Sequence, residues 1–214
     1  MPILQDHYFD PTAVGSNLGA RGYGNLAGAD VFFYISTSNE LRVKQANSST
    51  LSGLSTIQIL VTGGVQWLSV IQQPPQGVVH LYWTNTNGAM FYAPYTARNF
   101  SEPISPISLP FSTAFTFSTT YAQHSTPPAY CMLVDDGTRH TLYTSATPDF
   151  STILGTQVVY NNNTNLSVYI NKPVIAVHPL DTNVATVAVQ HVDLPSPPGI
   201  QKVGFYVTFL PGVA

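Results

Sequence analysis

VVHLYWTNTNGAMFYA, residues 78–93, is an apolar run, a polar turn and a second apolar run. Asn-Gly at the centre is the side-chain signal for a tight hairpin, because both residues tolerate positive φ. Three further stretches have the same outline: DVFFYISTSNELRVKQ from Asp30, AYCMLVDDGTRHTLYT from Ala129, and VATVAVQHVDLPSPPGIQKVGFYVTF from Val184. The first two turn at Ser-Asn and Asp-Gly, and the last carries a longer, Pro-rich loop around Pro195–Gly199. Successive hairpins begin 48, 51 and 55 residues apart, so the chain reads as a repeat of about fifty residues.

Each hairpin is preceded by another strand-like run: SNLGARG, VQWLSVI, TTYAQHS and PVIAVHP. The first three are followed by a fourth apolar segment, STIQILV, PISPISL and TILGTQVV. TARNFSEP (96–103) and SATPDFSTI (145–153) echo one another, and both fall between the third and fourth strands of their units. A four-strand unit of this length is the signature of a propeller blade. The expected fold is therefore an all-β, small β-propeller forming one domain over 1–214. It has four blades of four antiparallel strands, at about 12–62, 63–111, 112–162 and 168–214. The last blade lacks an obvious fourth strand, and residues 1–10 are expected to close it, hiding a sheet edge. A sandwich, or an incomplete array completed as a homodimer, stays open.

Composition agrees. Of 214 residues 44% are hydrophobic and 8% charged, against roughly 25% charged in ordinary soluble domains. Long exposed helices need charged faces, whereas Thr, Val, Tyr and Phe suit pleated surfaces. Seven Lys and Arg in a chain of net charge −3 form no basic run, which argues against nucleic acid as a partner. No apolar stretch approaches ~18 residues, so no membrane insertion by a helix is expected. MPILQDHYFD has neither a basic nor an apolar leader region, which favours a cytoplasmic or leaderless product. The four glycosylation sequons, at Asn47, Asn99, Asn162 and Asn165, compare with about two or three expected by chance in such a composition, so they argue only weakly for secretion. Cys131, within AYCML, is expected as a buried thiol.

In a propeller the inner strands and their loops form the site. The inner strands carry Arg21, then Gln66, Trp67 and Gln72, then Tyr121, Gln123 and His124, then His178. Trp67, Gln72, Tyr121 and Gln123 are the candidate ligand-binding groups, since an aromatic face with amides can stack on a ring and bond its substituents. His124, His178 and Arg21 would be catalytic if the protein is an enzyme. Each also has a structural reading as core packing or a satisfied loop residue. No metal site or cofactor is expected: the histidines lack metal-ligand spacing, and no phosphate-binding loop or nucleophile elbow occurs. Asp135-Asp136 before Gly137 reads as a hairpin turn rather than as a glycosidase carboxylate pair.

ADVFFYISTSNELRVKQA and GVVHLYWTNTNGAMFYAPY resemble repeats of fungal fucose-lectin-type propellers, which alternate an aromatic-rich strand, a polar turn and a second strand. The resemblance implies a sugar-binding propeller with sites between blades. Such lectins repeat an Arg, a Glu and a Trp from blade to blade. Here no trio recurs and Trp stands only at 67 and 83, which points to one asymmetric site. Certain fungal biosynthetic enzymes that guide cyclisation without a cofactor also look like lectin-type propellers. The readings carried forward are a lectin-like module for a small glycan, a cofactor-independent cyclase or Diels–Alderase-like enzyme on a small apolar molecule, and a structural or protein-interaction propeller.

Overall fold

The computed structural model describes residues 21–26, 29–46, 57–73, 77–96, 104–111, 116–161, 167–168, 174–178, 183–193 and 201–214. The segment expected to close the last blade, 1–10, lies outside them. Every regular element among the described residues is a strand, and the strands form four antiparallel four-stranded sheets. They belong to two compact units, Met1–Ser108 and Leu109–Ala214.

The first unit holds two sheets. One runs in chain order through β1 (Arg21–Leu26), β2 (Ala29–Ile35), β3 (Leu41–Ala46) and β4 (Gln58–Val61). The other runs through β5 (Val65–Gln72), β6 (Val79–Asn85), β7 (Met90–Tyr95) and β8 (Ile107–Ser108). The tips follow their sequence chemistry. Asn39 takes φ 57° in the first hairpin, and Gly88 takes φ 77° in the second. The Asn85 carboxamide oxygen accepts from the backbone N–H groups of Asn87 and Ala89, each at 3.0 Å. Between the sheets, Val31, Phe33 and Ile35 of β2 pack with Val79, Leu81 and Trp83 of β6 in one core. Burying each such side chain is worth about 1.5–3 kcal/mol. Close approach of β1 depends on glycine: a Cβ on Gly24 would stand 2.5 Å from Val79 Cγ2. β8 is only two residues long, and its flanking Pro106 and Pro110 lack the N–H that a longer ladder would need.

The second unit pairs a sheet of β9 (Thr116–Ala122), β10 (Ala129–Asp135), β11 (Arg139–Ser145) and β12 (Ile153–Asn161) with a less regular one. The latter is built on a long hairpin, β15 (Val184–Asp193) and β16 (Gln201–Phe209). The edge of β15 opposite β16 holds two short strands in line, β13 (Ser167–Val168) and β14 (Val174–Val177). β15 is ten residues long, so one edge accommodates both short strands. The core of this unit joins Cys131, Leu133 and Leu142 to Ile175, Ala185, Val187 and Leu210. β6 from Val79 to Thr84, and β10 throughout, are buried on both faces, which is why their sequences are apolar without alternation.

Candidate binding site

Four connections of the second unit meet at one end of its sheets. β9 stops at Ala122, because Ser125 Oγ lies 2.9 Å from the Ala122 carbonyl and 2.8 Å from that of Pro127, drawing the chain into a turn. Past β14, the His178 N–H donates to the Val184 carbonyl at 2.9 Å. Leu210 N–H donates to the Asn183 carbonyl at 2.7 Å, and Thr126 and Ala214 exchange two backbone hydrogen bonds of 3.0 Å. The C-terminal residues 210–214 thus form a strap from the β14–β15 connection to the β9–β10 turn. On the way the Thr144 hydroxyl donates to the Pro211 carbonyl. Gly155 makes room for this: a Cβ there would lie 2.7 Å from Pro211 backbone atoms.

Tyr121, Gln123, His124 and His178 all stand at this end. Gln123, His124 and His178 are exposed, and Tyr121 is half-buried at the end of β9. Gln123 and His124 sit in the turn after β9, and His178 directly follows β14, so none of the three is on an inner strand as the sequence suggested. Both imidazoles are at the same end of the unit. The Tyr121 ring leans on Tyr130 at 4.9 Å. Burial first, and then the Tyr121 phenol, push the Tyr130 hydroxyl up to about 12, so it stays neutral. The end therefore offers an amide, two imidazoles and a phenol edge, a set suited to uncharged hydroxyl-bearing ligands.

The remaining sequence candidates lie in the first unit and have other surroundings. Arg21 starts β1 opposite Tyr34; its side chain lies outside the described residues. Trp67 is half-buried beside a bulge in β5 that leaves Gln66 exposed as the extra residue. Gln72, at the far end of β5, spends its amide on the backbone: its Oε1 accepts from the Asn25 N–H at 2.8 Å and its Nε2 donates to the Asn25 carbonyl. Trp67 and Gln72 are separated by the length of five strand residues, roughly 17 Å.

Buried polar groups that the sequence reading passed over lie within the sheets. His80 Nδ1 is 2.9 Å from the Tyr92 hydroxyl, and burial lowers the His80 pKa to about 4. His140 is held below its usual value by burial, against the opposing pull of Asp135 and Asp136. Burial pushes the Cys131 thiol up to about 12, so it is an inert core group. Several carboxylates among the described residues are engaged locally. Asp30 accepts from Tyr23 and Asn25, Glu40 from Arg42, Asp136 from Thr138 and Arg139, and Asp149 from Ser151. Among the described residues, no three His, Cys, Asp or Glu side chains are grouped to hold a metal ion.

No protein-family model matches the chain, and no curated protein matches it. Solved structures do. An α-L-arabinofuranosidase from Podospora anserina, in complex with cellotriose, superposes with a TM-score of 0.55 at 11% identity, over 94% of this chain and 70% of its own. An α-L-arabinofuranosidase from Clostridium thermocellum gives 0.55 at 10% identity, over 91% and 70%. An exo-β-1,3-galactanase from Phanerochaete chrysosporium, with β-1,3-galactotriose, gives 0.53 at 9%, over 88% of this chain and 49% of its own. Identities so low speak for architecture alone. Together with the four antiparallel four-stranded sheets, they make this chain a small all-β propeller.

Proposed function

We propose that the chain is a carbohydrate-binding, lectin-like propeller that takes a small glycan at the loop end of its second unit. The observation that carries this reading is that Tyr121, Gln123 and His124 after β9, and His178 after β14, stand at the same end of the unit, which backbone hydrogen bonds through residues 210–214 tie together. Amides and imidazoles donate to and accept from sugar hydroxyls, and a phenol edge covers an apolar sugar face. Structures of similar fold hold cellotriose and β-1,3-galactotriose, and the hairpins resemble fucose-lectin-type repeats, which supports a sugar as the ligand class. Binding is the reading put first because, among the described residues, Asp30, Glu40, Asp135, Asp136 and Asp149 are each taken up within their own sheets and turns, whereas glycoside cleavage needs two carboxylates facing one cleft.

The test is native mass spectrometry of the full chain with L-fucose, cellotriose and β-1,3-galactotriose. Binding with a dissociation constant of roughly 0.1–1 mM and no cleavage products is expected, as befits a shallow polar site. His124→Ala and His178→Ala weaken it about fivefold or more, and Trp67→Ala leaves it unchanged. Released monosaccharide would replace binding by hydrolysis. A tightly held non-sugar molecule at one per chain would favour the cyclase reading.

A further inference from the structure

The first sheet has a polar corner on the face turned away from its core. Gly22 and Gly24 of β1 face inward, against Val70 and Val79, so Tyr23 and Asn25 lie on the opposite face. Val31 and Phe33 of β2 belong to the core, which turns Asp30 and Phe32 outward. The register sets Tyr23 opposite Phe32 and Asn25 opposite Asp30, a block two strands wide and two side chains long. Its corners are about 5 Å apart across the strands and about 7 Å apart along them, the footprint of one six-membered sugar ring. Tyr23 is 54% exposed, and its ring leans on Phe32 at 5.5 Å. The Tyr23 hydroxyl and the Asn25 amide both donate to Asp30 Oδ1, each at 2.8 Å. The Asn25 backbone is fixed in turn by Gln72, whose Oε1 accepts from its N–H and whose Nε2 donates to its carbonyl. Asn and Asp are poor strand formers, and a pair of them facing each other in a ladder breaks a local rule in the way functional sites do.

We propose that this corner is a second glycan site, which takes one neutral pyranose on the Tyr23 ring. The exposed ring stacks on the apolar C–H face of the sugar, while Asp30 Oδ2 and Asn25 Oδ1 accept from neighbouring hydroxyls. Both bonds to Asp30 end on Oδ1, so a ligand hydroxyl reaches Oδ2 without breaking either. A bond to a carboxylate is the stronger kind, which makes Asp30 the anchor and Asn25 the second contact. Both atoms accept, so the ligand must donate. A cationic amine also donates, but the buried Lys44 stands beside Phe32 in the register and already brings a positive charge to this face. A single carboxylate binds a sugar without cleaving it, since hydrolysis needs a pair. The site draws on the first unit alone and does not rest on His124 or His178.

A proton–nitrogen NMR titration of the full chain with D-glucose, D-galactose, D-mannose and L-fucose tests this. At least one of them is expected to shift the Asn25 side-chain amide, with a dissociation constant of about 1–10 mM, as suits a single stacked ring. Tyr23→Ala is expected to weaken that binding at least about fivefold, while His124→Ala leaves it unchanged. If Tyr23→Ala folds poorly, Asp30→Asn carries the same expectation, since it keeps the shape of the corner and removes the charge. A corner that only braces the hairpin gives no response to any of these sugars at about 50 mM, and that result overturns the proposal. So does binding that both Tyr23→Ala and Asp30→Asn leave intact, or a response to D-glucosamine alone. Binding in the second unit is followed through the resonances of Gln123 and His178, so failure of one site is told apart from failure of the other.

Discussion

His80 is a titratable group enclosed in a sheet. Its pKa in the folded protein is lowered to about 4 by burial, while an imidazole in the unfolded chain titrates near 6.5. Between these values the unfolded chain binds the extra proton, so the stability from a neutral His80 is complete above about pH 6.5 and is lost as pH falls towards about 4. His140 adds in the same direction. The urea midpoint of the wild type is therefore expected to drop clearly from pH 7 to pH 5, and His80→Gln flattens that slope. Equal wild-type midpoints at the two pH values would discard the assignment. Part-burial opposes ionisation of Asp136, but hydrogen bonds from Thr138 and Arg139 hold its pKa below the usual carboxylate range. Its contribution is lost only at lower pH than that of the histidines. Gln72 illustrates what a sequence hides. A glutamine ending a strand suits a ligand as well as it suits a neighbouring backbone, and only the position of Asn25 decides. Gln72→Ala strips both Asn25 backbone groups of a partner and is expected to cost about 1–3 kcal/mol in chemical denaturation.

Hairpins were the most legible elements, since turn chemistry and flanking apolar runs both signal them. Gly88 and Gly137 take positive φ where Asn-Gly and Asp-Gly stood in the sequence. The ends of inner strands were less legible. TTYAQHS alternates as a strand does, and nothing local announces that Ser125 bends the chain back to Ala122. The site was thus readable as a set of residue types at strand ends, but that the connections carrying His124 and His178 are tied together at one end is set by long-range backbone bonds. The strap over this end gives a sharp test. Gly212 has φ +76°, and a Cβ there would press on the Leu154 carbonyl; Gly63 has φ +78° with open space around it. Gly212→Ala is expected to destabilise by about 2–3 kcal/mol, and Gly63→Ala by only about 1 kcal/mol. Comparable losses in thermal denaturation would show that the strap carries no packing of consequence.

At the scale of the whole molecule, the repeat of about fifty residues was visible because four hairpins share one outline. The irregular fourth sheet was not, because β13 is two residues long and a pairing that short leaves no pattern. Folding rests on apolar burial rather than on charge. Two ion pairs between described side chains, Arg42–Glu40 at 2.5 Å and Arg139–Asp136 at 3.0 Å, bridge residues within single hairpins, and the latter is partly exposed. The thermal midpoint should accordingly change little when sodium chloride rises from about 0.01 to about 1 M. A fall of many degrees in differential scanning calorimetry would mean that charge matters more than these pairs suggest. β6 and β10, enclosed on both sides, set a different kind of limit. In an ordinary strand every second codon is free to drift, whereas from Val79 to Thr84 and from Ala129 to Asp135 every one is constrained. A saturation mutagenesis profile of this chain would show two unbroken troughs of intolerance there, where other strands give an alternating comb.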